Sequence, residues 1–507
     1  MKHKDNKSVT LLNMFASLFL QAITIISNFV IRKITLDYFG SDVNGLISSL
    51  TQFLNYITLF EGGLVPVLLA SLYAPLAKND SKKVSKILHA ANRFYDRLSV
   101  IFVIYAIALG VIYPILINTP FSFGYIFSLT LIIALYILAQ NIFKISWRIL
   151  LNADKKVYVV AFTQSLMLIV STVLFFIGAK VFPDIHLLKF ISGVVFIVQP
   201  FIYKKAVKKY IGLVEIEKGD NYKIKNRWDG LGISIATFIH KNTDIVVLTC
   251  FSGLINVSIY SVYAMIVEGI KTIITSVSAG IIPTIGHLHA KENREELNKV
   301  FSLYEYIVFC LTTLLFTLGG LLLVPFVAYY TTGVQDANYN EPIFGIILLM
   351  SEVIFCLKEP FVNLAYASGE FKKIKVHAYI EAIINIVLSI VLVQRLGLIG
   401  IALGTLAAMT YRTAFHIIFL RKEILFRPIK IFMKKLVNFS LVSLLGITIC
   451  HFCFPISGHT LGELIYTGLL YFVILATLII IDSTIFYRKE CKYLKDYLKK
   501  LFLVKSN

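Results

Sequence analysis

Long apolar runs separated by short polar stretches follow one another along the whole chain. A membrane-spanning helix needs about 20 predominantly apolar residues. The runs are far too long for the tilted strands of a membrane barrel, so the pattern predicts an all-α polytopic membrane protein. We predict fourteen spans, of which the eleventh is the shortest, at residues 9–31, 44–70, 98–117, 121–143, 157–176, 185–203, 230–251, 257–283, 306–327, 343–365, 378–393, 396–420, 436–454 and 461–487.

The composition excludes a soluble globular protein. Of the 507 residues, 57% are hydrophobic and 15% are charged, and the mean hydropathy is +0.78. A soluble chain of this length would need far more polar surface. The formal net charge of +20 suits either nucleic acid or a membrane surface. Because the positive residues lie between apolar runs and form no single patch, we interpret them as a topology signal and expect no nucleic-acid partner.

The distribution of lysine and arginine predicts the orientation of the chain. An even number of spans places both termini on one side, and cytoplasmic loops retain positive residues. Most of the 49 lysines and arginines fall on the side of the termini. The opposite loops and the span ends next to them carry only Arg32, Lys33, Lys180, Lys189 and Arg395. We therefore expect cytoplasmic termini in a bacterial inner membrane, with residues 204–227 also cytoplasmic.

Three features recur at nearly one offset and indicate an internal repeat. Gly63 and Pro66 at the end of span two match Gly280 and Pro283 at the end of span eight, 217 positions later. The apolar positions of the following amphipathic stretches match at an offset of 213: Val84, Ile87 and Leu88 with Leu297, Val300 and Phe301. The short loops at residues 152–156 and 367–373 match at an offset near 214.

The repeat predicts two pseudo-symmetric lobes of six helices each. Six is an even number, so the lobes keep one orientation and are related by an axis along the membrane normal. We predict an N-terminal lobe at residues 1–210, a cytoplasmic linker at 211–228 and a C-terminal lobe at 229–430. Two appended spans and a basic amphipathic tail follow at 431–507, and the tail should lie along the anionic cytoplasmic membrane surface.

The chain resembles the bacterial polysaccharide and O-antigen flippases at Tyr38-Phe39-Gly40-Ser41-Asp42-Val43-Asn44-Gly45-Leu46. The paired Gly-x-x-Pro motifs and the short loops after spans four and ten are similar as well. These flippases belong to the multidrug/oligosaccharidyl-lipid/polysaccharide exporter superfamily. The resemblance implies two lobes that face each other in a V around a central cavity. It also implies an oligosaccharide on a polyprenyl diphosphate as the transported molecule.

Spans one, two, seven and eight carry polar faces, which must point at protein or at water because lipid cannot solvate them. Span eight has Ser261, Glu268, Lys271, Thr275 and Ser278 on one face. Span seven has Ser234, Thr237, Lys241 and Asp244, with His240 beside them. Span one has Asn13, Ser17, Gln21, Thr24 and Asn28, ending near Arg32. Span two has Asn44, Ser48, Gln52, Asn55 and Glu61. We expect these faces to converge on a water-filled chamber that forms the substrate pathway.

The intramembrane charges allow two interpretations. Glu268 with Lys271, and Lys241 with Asp244, are each three residues apart and could form ion pairs within one helix. Alternatively, Lys241, Lys271 and Arg32 could contact a diphosphate, although Arg32 could also only anchor span one at the outer interface.

Other residues suggest coupling and gating roles. His240, Asp244 and Glu268 are candidates for ion coupling. Lys358 and Glu359 lie near a cytoplasmic end and are expected to extend toward the interface. Gly63, Pro66, Gly280 and Pro283 either end their helices or form a paired hinge.

The preferred function is a flippase that moves a lipid-linked oligosaccharide by alternating access. A peptidoglycan-precursor flippase shares the span count, and an ion-coupled multidrug antiporter of the same superfamily would favour about twelve spans and an acidic cavity. An enzyme such as a sugar polymerase would need a large external loop or a metal site, and the sequence suggests neither. No nucleotide-binding loop occurs. We predict no cofactor and no metal, and we expect lipid-linked oligosaccharide, anionic lipids and polysaccharide polymerase machinery as partners.

Overall fold

The computed structural model describes residues 5–59, 64–143, 145–211, 242–279, 281–455 and 460–503. Within these ranges every regular element is helical and no strand occurs. In the part of the chain that the structure describes, ten helices are long and apolar enough to cross a membrane. Two of them, Val9–Ile57 and Lys373–Leu425, are about twice the length of one span. The protein is therefore an all-helical multi-pass membrane protein, in which predicted spans and separate helices do not correspond one to one.

The helices are numbered here in chain order. They are α1 (Asp5–Leu54), α2 (Leu64–Ala77), α3 (Ser81–Leu116), α4 (Phe123–Ile137), α5 (Ile145–Ala153), α6 (Val157–Val181), α7 (Ile185–Ile197), α8 (Gln199–Tyr210), α9 (Asn242–Phe251), α10 (Leu254–Ala279), α11 (Ile282–Ala290), α12 (Arg294–Tyr330), α13 (Pro342–Ala367), α14 (Phe371–Leu420), α15 (Lys430–Cys453), α16 (Leu461–Phe486) and α17 (Arg488–Leu503).

Helix α1 continues through the segment that the sequence predicted as the first external loop. Residues 32–43 are helical apart from a bend at Gly40, whose φ of 81° lies in the region that favours glycine. The polar residues of this segment suggested a loop, but a helix can form without apolar residues. Lys33 and Asp37, one turn apart, form an ion pair at 2.6 Å along it.

Helix α14 is a hairpin of two antiparallel arms, which correspond to predicted spans eleven and twelve. The chain reverses at Gly397, where φ is 53° and ψ is −127°. Asn385 of the first arm donates a hydrogen bond to Thr405 of the second arm at 2.9 Å. The arms touch at Gly404, where an added Cβ would lie 2.9 Å from the backbone nitrogen of Ser389. Glycine at this position therefore allows the two helices to pack backbone to backbone.

Backbone geometry recurs at the offset of the predicted repeat. Helices α3 and α12 both begin with a side-chain cap, since Asp80 and Asn293 accept hydrogen bonds from the backbone N–H three residues later, at 2.9 and 3.2 Å. Two pairs of residues with positive φ share the spacing: Asn79 with Glu292, 213 apart, and Lys155 with Gly369, 214 apart. The two halves of the chain thus turn in the same way at matching positions.

The prolines of the two Gly-x-x-Pro motifs begin helices. Pro66 lies in the first turn of α2 and Pro283 in the first turn of α11. A proline costs little there, because the first backbone N–H groups of a helix have no partner within the helix. Gly63 and Gly280 lie outside the described residues. The hinge formed by these motifs stays a prediction.

The chain divides into two compact units, Met1–Ser258 and Ile259–Asn507. In the first unit, the buried hydroxyl of Tyr113 donates to Ser49 at 2.8 Å, and Ser49 is hydrogen-bonded to Thr249 of α9 at 2.8 Å. These bonds connect α9 to α1 and α3. Most of the predicted linker, residues 211–228, lies outside the described residues, so the predicted lobe boundaries stay a prediction.

The appended helices α15 and α16 pack against α12 in the second unit. Glu305 of α12, only 1% exposed, binds Arg427 at 2.6 Å and Lys435 at 2.7 Å. Farther along α12, Thr317 donates a hydrogen bond to Ser443 of α15 at 2.9 Å. One buried carboxylate therefore binds two cations that the chain supplies more than a hundred residues later.

The tail forms helix α17, whose polar contacts also go to α12. Tyr493 donates a hydrogen bond to Glu296 at 2.7 Å, and Ser302 donates one to Glu490 at 3.4 Å. Exposed lysines lie on the remaining surface of the described part of this helix: Lys489, Lys492 and Lys495. The tail is thus docked on one face and basic on another.

Candidate functional site

The main cluster of buried charge begins at Lys271 of α10. This side chain is 7% exposed and forms an ion pair with Glu268, one turn earlier on the same helix. A second carboxylate, Glu352 of α13, lies 3.1 Å from the Lys271 ammonium. Lys271 is therefore held between two carboxylates, one within its helix and one on a neighbouring helix.

An aromatic ring lies between Lys271, with its two carboxylates, and a second lysine. Phe355 of α13 has the Lys271 ammonium 4.9 Å from its ring centroid and the Lys358 ammonium at 4.8 Å. Both distances are within the range of cation–π attraction. The ring thus stabilises two ammonium groups at once.

Lys358 is buried, contrary to the prediction that it extends toward the interface. It is 5% exposed and lies 3.9 Å from Glu381 of α14, and it donates a hydrogen bond to the sulfur of Met409 at 3.4 Å. The physical reason is that the neighbouring hairpin supplies a carboxylate inside the protein. Because Glu381 compensates the charge of Lys358 inside the protein, the ammonium group can remain buried.

Glu381 and Arg412 complete the network on the two arms of α14. Glu381 is 1% exposed, Arg412 is 6% exposed, and the two form an ion pair across the hairpin. One turn beyond Arg412, the Nδ1 of His416 donates to the Arg412 carbonyl at 2.8 Å. The hairpin is therefore joined by charge as well as by close backbone packing.

The cluster from Lys271 to Arg412, here called the α10–α13–α14 network, has three cations and three carboxylates. Its members are Glu268, Lys271, Glu352, Lys358, Glu381 and Arg412. Burying a charge costs several kcal/mol unless partners compensate, and here charges of opposite sign alternate. Glu268 differs from the others because its side chain is 56% exposed. The network therefore reaches the surface of the second unit at one carboxylate.

Some predicted site residues lie in the first unit. Arg32 is half-buried in α1, and Asp244, which is 5% exposed, lies in α9. Each has a polar or ionic partner within the structure. Glu61, His240 and Lys241 lie outside the described residues. Of the predicted substrate-pathway residues, the structure thus brings Glu268 and Lys271 into direct contact.

Part of the polar face predicted for spans one and two connects helices within the first unit. Asn44 of α1 donates a hydrogen bond to Ser258 at 2.7 Å, and Gln52 donates to Asn242. Asn13 donates to the carbonyl of Lys155 at 2.8 Å. These side chains hold α1 to α9, α10 and the α5–α6 turn, and convergence of the four faces on one chamber stays a prediction.

Sequence reasoning missed Glu352, Glu381 and Arg412. A signal was present, because each is an ionisable residue inside a predicted apolar span. What the sequence lacks is the rotation of one helix against another, which decides whether such residues meet. Only the pair within α10 is set by spacing along a single helix.

Solved structures of several membrane transporters have a similar helix arrangement. "Lipid II flippase MurJ, inward closed conformation" matches with a TM-score of 0.70 at 16% identity, covering 94% of this chain and 99% of that chain. An outward-facing multidrug resistance MATE family transporter of the MOP superfamily matches with a TM-score of 0.57 at 15% identity, covering 82% and 97%. The MATE multidrug transporter DinF-BH matches with a TM-score of 0.58 at 14% identity, covering 84% and 98%.

A scan against protein-family models and a search of the curated proteins found no match. At identities this low, the structural similarity establishes the fold. The chain therefore has the fold shared by the lipid II flippase MurJ and the MATE transporters of the MOP superfamily.

Proposed function

We propose that the protein is a flippase for a polyprenyl-diphosphate-linked oligosaccharide, which it moves from the cytoplasmic to the outer leaflet for assembly of cell-surface polysaccharide. Two observations support this proposal. The fold match extends over 94% of the chain to a protein described as a lipid flippase. The observation that carries it is Lys271, a buried cation one of whose partners is a largely exposed carboxylate.

Lys271 is suited to bind phosphate by exchanging one partner. Glu352, whose side chain is 17% exposed, fixes the ammonium from the protein interior, whereas Glu268 is 56% exposed. A diphosphate that approaches from the exposed side competes with Glu268 for the same ammonium, and a cation attracts phosphate strongly where water is scarce. The contact needs to supply only a few kcal/mol, because tighter binding would slow release.

Transport occurs when the N-terminal lobe rocks against the C-terminal lobe, and the motifs at Pro66 and Pro283 act as the hinges. The protein performs no covalent chemistry. Energy comes from an ion gradient or from downhill removal of the product, and Asp244, Glu268 and His240 are the candidates for ion coupling. When the substrate displaces Glu268 from Lys271, the freed carboxylate can bind a cation or a proton. Substrate binding would then be coupled to ion binding.

The proposed setting is the cytoplasmic membrane of a bacterium, with both termini in the cytoplasm. Arg32, Lys241 and Glu61 complete the proposed substrate pathway. Anionic lipids would bind the basic face of α17. Polysaccharide polymerase machinery would consume the flipped product.

Lys271→Ala should reduce export at least tenfold, because the diphosphate loses its buried cation. The measurement is surface delivery of lipid-linked oligosaccharide in a strain that lacks its own flippase, with the amount of membrane-inserted protein determined in parallel. Lys299→Ala is the matched control, since Lys299 is an exposed lysine that pairs with Glu295 on the cytoplasmic end of α12.

A second variant separates loss of binding from loss of folding. Lys271→Met combined with Glu352→Gln removes the cation without leaving its interior carboxylate unpaired. We expect it to fold and insert while export stays low. Wild-type export by this double variant would overturn the role of Lys271 as the phosphate contact.

A peptidoglycan-precursor flippase is the second candidate, and the full-length match to a lipid II flippase favours it. The two candidates share the polyprenyl diphosphate and differ in the sugar. Rescue of a strain depleted of its lipid II flippase, without rescue of polysaccharide export, would select this alternative. The multidrug transporters match 82–84% of the chain, and resistance to cationic dyes conferred by expression would instead select an antiporter.

A further inference from the structure

A polar cavity of about 280 Å³ lies between α1, α5 and α6 in the first unit. Four polar side chains line it: Ser17, Arg148, Asn152 and Gln164. Apolar side chains, including Leu20 and Val160, form the rest of the wall. Ser17 belongs to the polar face that the sequence predicted for span one, so part of that face lines this cavity.

Arg148 lies at this cavity, where no carboxylate of the described residues pairs with it. Among the described residues its one hydrogen bond is to the carbonyl of Gln140, at 3.4 Å, and no ion pair includes it. The side chain is half-buried, and the other polar side chains at the cavity are uncharged. A guanidinium in such a place attracts an anion that can accept two parallel hydrogen bonds, which phosphate does.

Asn152 adds a second unsatisfied group. Its side-chain oxygen is buried and has no hydrogen-bond donor in the described structure. A buried polar atom without a partner is unfavourable, so a donor from a ligand would stabilise it. A ligand that carries a hydroxyl or ammonium group next to its phosphate would satisfy Arg148 and Asn152 together.

The position of the cavity indicates a ligand from the membrane. Asn152 lies one residue before the end of α5, next to the turn predicted to be cytoplasmic, which is the depth of lipid headgroups. Exposed apolar side chains of α1 and α6 flank it: Phe15, Leu18, Phe162 and Leu166. Cavities for drug-sized ligands measure about 300–1,000 Å³, so this one suits a headgroup whose alkyl chains lie outside.

We infer that the α1–α5–α6 cavity binds the phosphate of a lipid headgroup, with Arg148 as the phosphate contact and Asn152 as acceptor for a neighbouring hydroxyl or ammonium. The phosphate can belong to a bilayer phospholipid or to a polyprenyl diphosphate. Lipid binding to this cavity is independent of transport and can be measured on purified protein.

Native mass spectrometry of the full-length protein tests the site with defined lipids. Phosphatidylglycerol and phosphatidylethanolamine should bind more tightly than phosphatidylcholine, whose quaternary ammonium has no N–H to donate. Arg148→Gln should weaken binding of all three at least tenfold. Arg97→Gln, which removes an exposed arginine of α3, should leave binding unchanged.

Two further variants keep the test decisive if Arg148→Gln fails to fold. Ser17→Leu fills the cavity without removing a charge and should also abolish specific binding. Asn152→Ala should remove the preference over phosphatidylcholine while leaving binding of phosphatidylcholine intact. Wild-type binding in both Arg148→Gln and Ser17→Leu, or an equal loss in Arg97→Gln, would overturn the inference.

Competition distinguishes the two sources of phosphate. Displacement of phosphatidylglycerol by polyprenyl diphosphate would identify the cavity as a docking site for the transported lipid. Binding of phosphatidylglycerol that polyprenyl diphosphate does not displace would identify a site for bilayer lipid. Either result supports a phosphate site, and failure of every phosphate lipid to bind would reject it.

Discussion

At the scale of single residues, Glu381 is a buried carboxylate whose charge is compensated by two cations. It is 1% exposed and lies between the cations of Arg412 and Lys358. Replacing a buried ion pair by apolar residues is often neutral, whereas removing one partner costs about 3–5 kcal/mol because a charge remains buried alone. The network should therefore respond very differently to single and to paired substitutions.

Glu381→Gln should lower the thermal unfolding temperature in detergent markedly, since it leaves Arg412 and Lys358 without their carboxylate. Glu381→Gln combined with Arg412→Met should recover much of the loss. Glu295→Gln, which breaks an exposed pair on α12, is the control and should have little effect. Size-exclusion chromatography after heating measures the folded fraction, and equal melting of the single and paired variants would contradict the argument.

The sequence predicted part of this network and missed the rest for a physical reason. Glu268 and Lys271 are three apart on one helix, so periodicity alone brings them together. Glu352 meets Lys271 across two helices, and that contact depends on helix rotation and depth, which composition does not encode. Lys358 was predicted wrongly because its partner, Glu381, comes from the next helix along the chain.

At the scale of elements, the α14 hairpin depends on three glycines. Gly397 supplies the positive φ of the turn, and Gly400 and Gly404 allow the second arm to approach the backbone of the first. The same two arms carry Glu381 and Arg412, so their separation would also break an ion pair. Close packing and buried charge are therefore coupled in one element.

Gly404→Ala should destabilise the protein more than an ordinary glycine replacement, because its Cβ would meet the backbone nitrogen of Ser389 at 2.9 Å. Relief requires the arms to move apart, which lengthens the contact between Glu381 and Arg412. Gly462→Ala is the control, since an added Cβ there meets nothing within 4 Å. Thermal unfolding of the two variants in the same detergent gives the comparison, and similar melting temperatures would argue against close packing.

Sequence patterns predicted spans better than they predicted where helices end. The hairpin of α14 matches predicted spans eleven and twelve, because apolar length is visible in the sequence. The segment at residues 32–43 was predicted as a loop and is helical around Gly40. Apolar length predicts burial in lipid, whereas helix formation in a polar segment depends on backbone propensity and on local pairs such as Lys33 with Asp37.

At the scale of the whole molecule, the distribution of positive residues predicts one orientation in the membrane. Single cysteines replacing Lys218 and Asp336 in a cysteine-free variant should react with membrane-impermeant maleimide from opposite sides. A cysteine replacing Lys299 should react from the same side as the one at Lys218. Labelling of all three positions from one side would exclude the predicted fourteen-span topology.

Glu305 implies an order of events while the protein is being made. Its partners Arg427 and Lys435 follow it by 122 and 130 residues. At synthesis rates of about 5–20 residues per second, on the order of ten seconds pass between the synthesis of Glu305 and that of Arg427. During that interval the carboxylate near one end of a membrane-spanning helix has neither of the two cations that bind it in the folded protein. A ribosome that stops before α15 therefore leaves an incomplete chain marked by an unpaired carboxylate, which membrane quality control could recognise as unfinished.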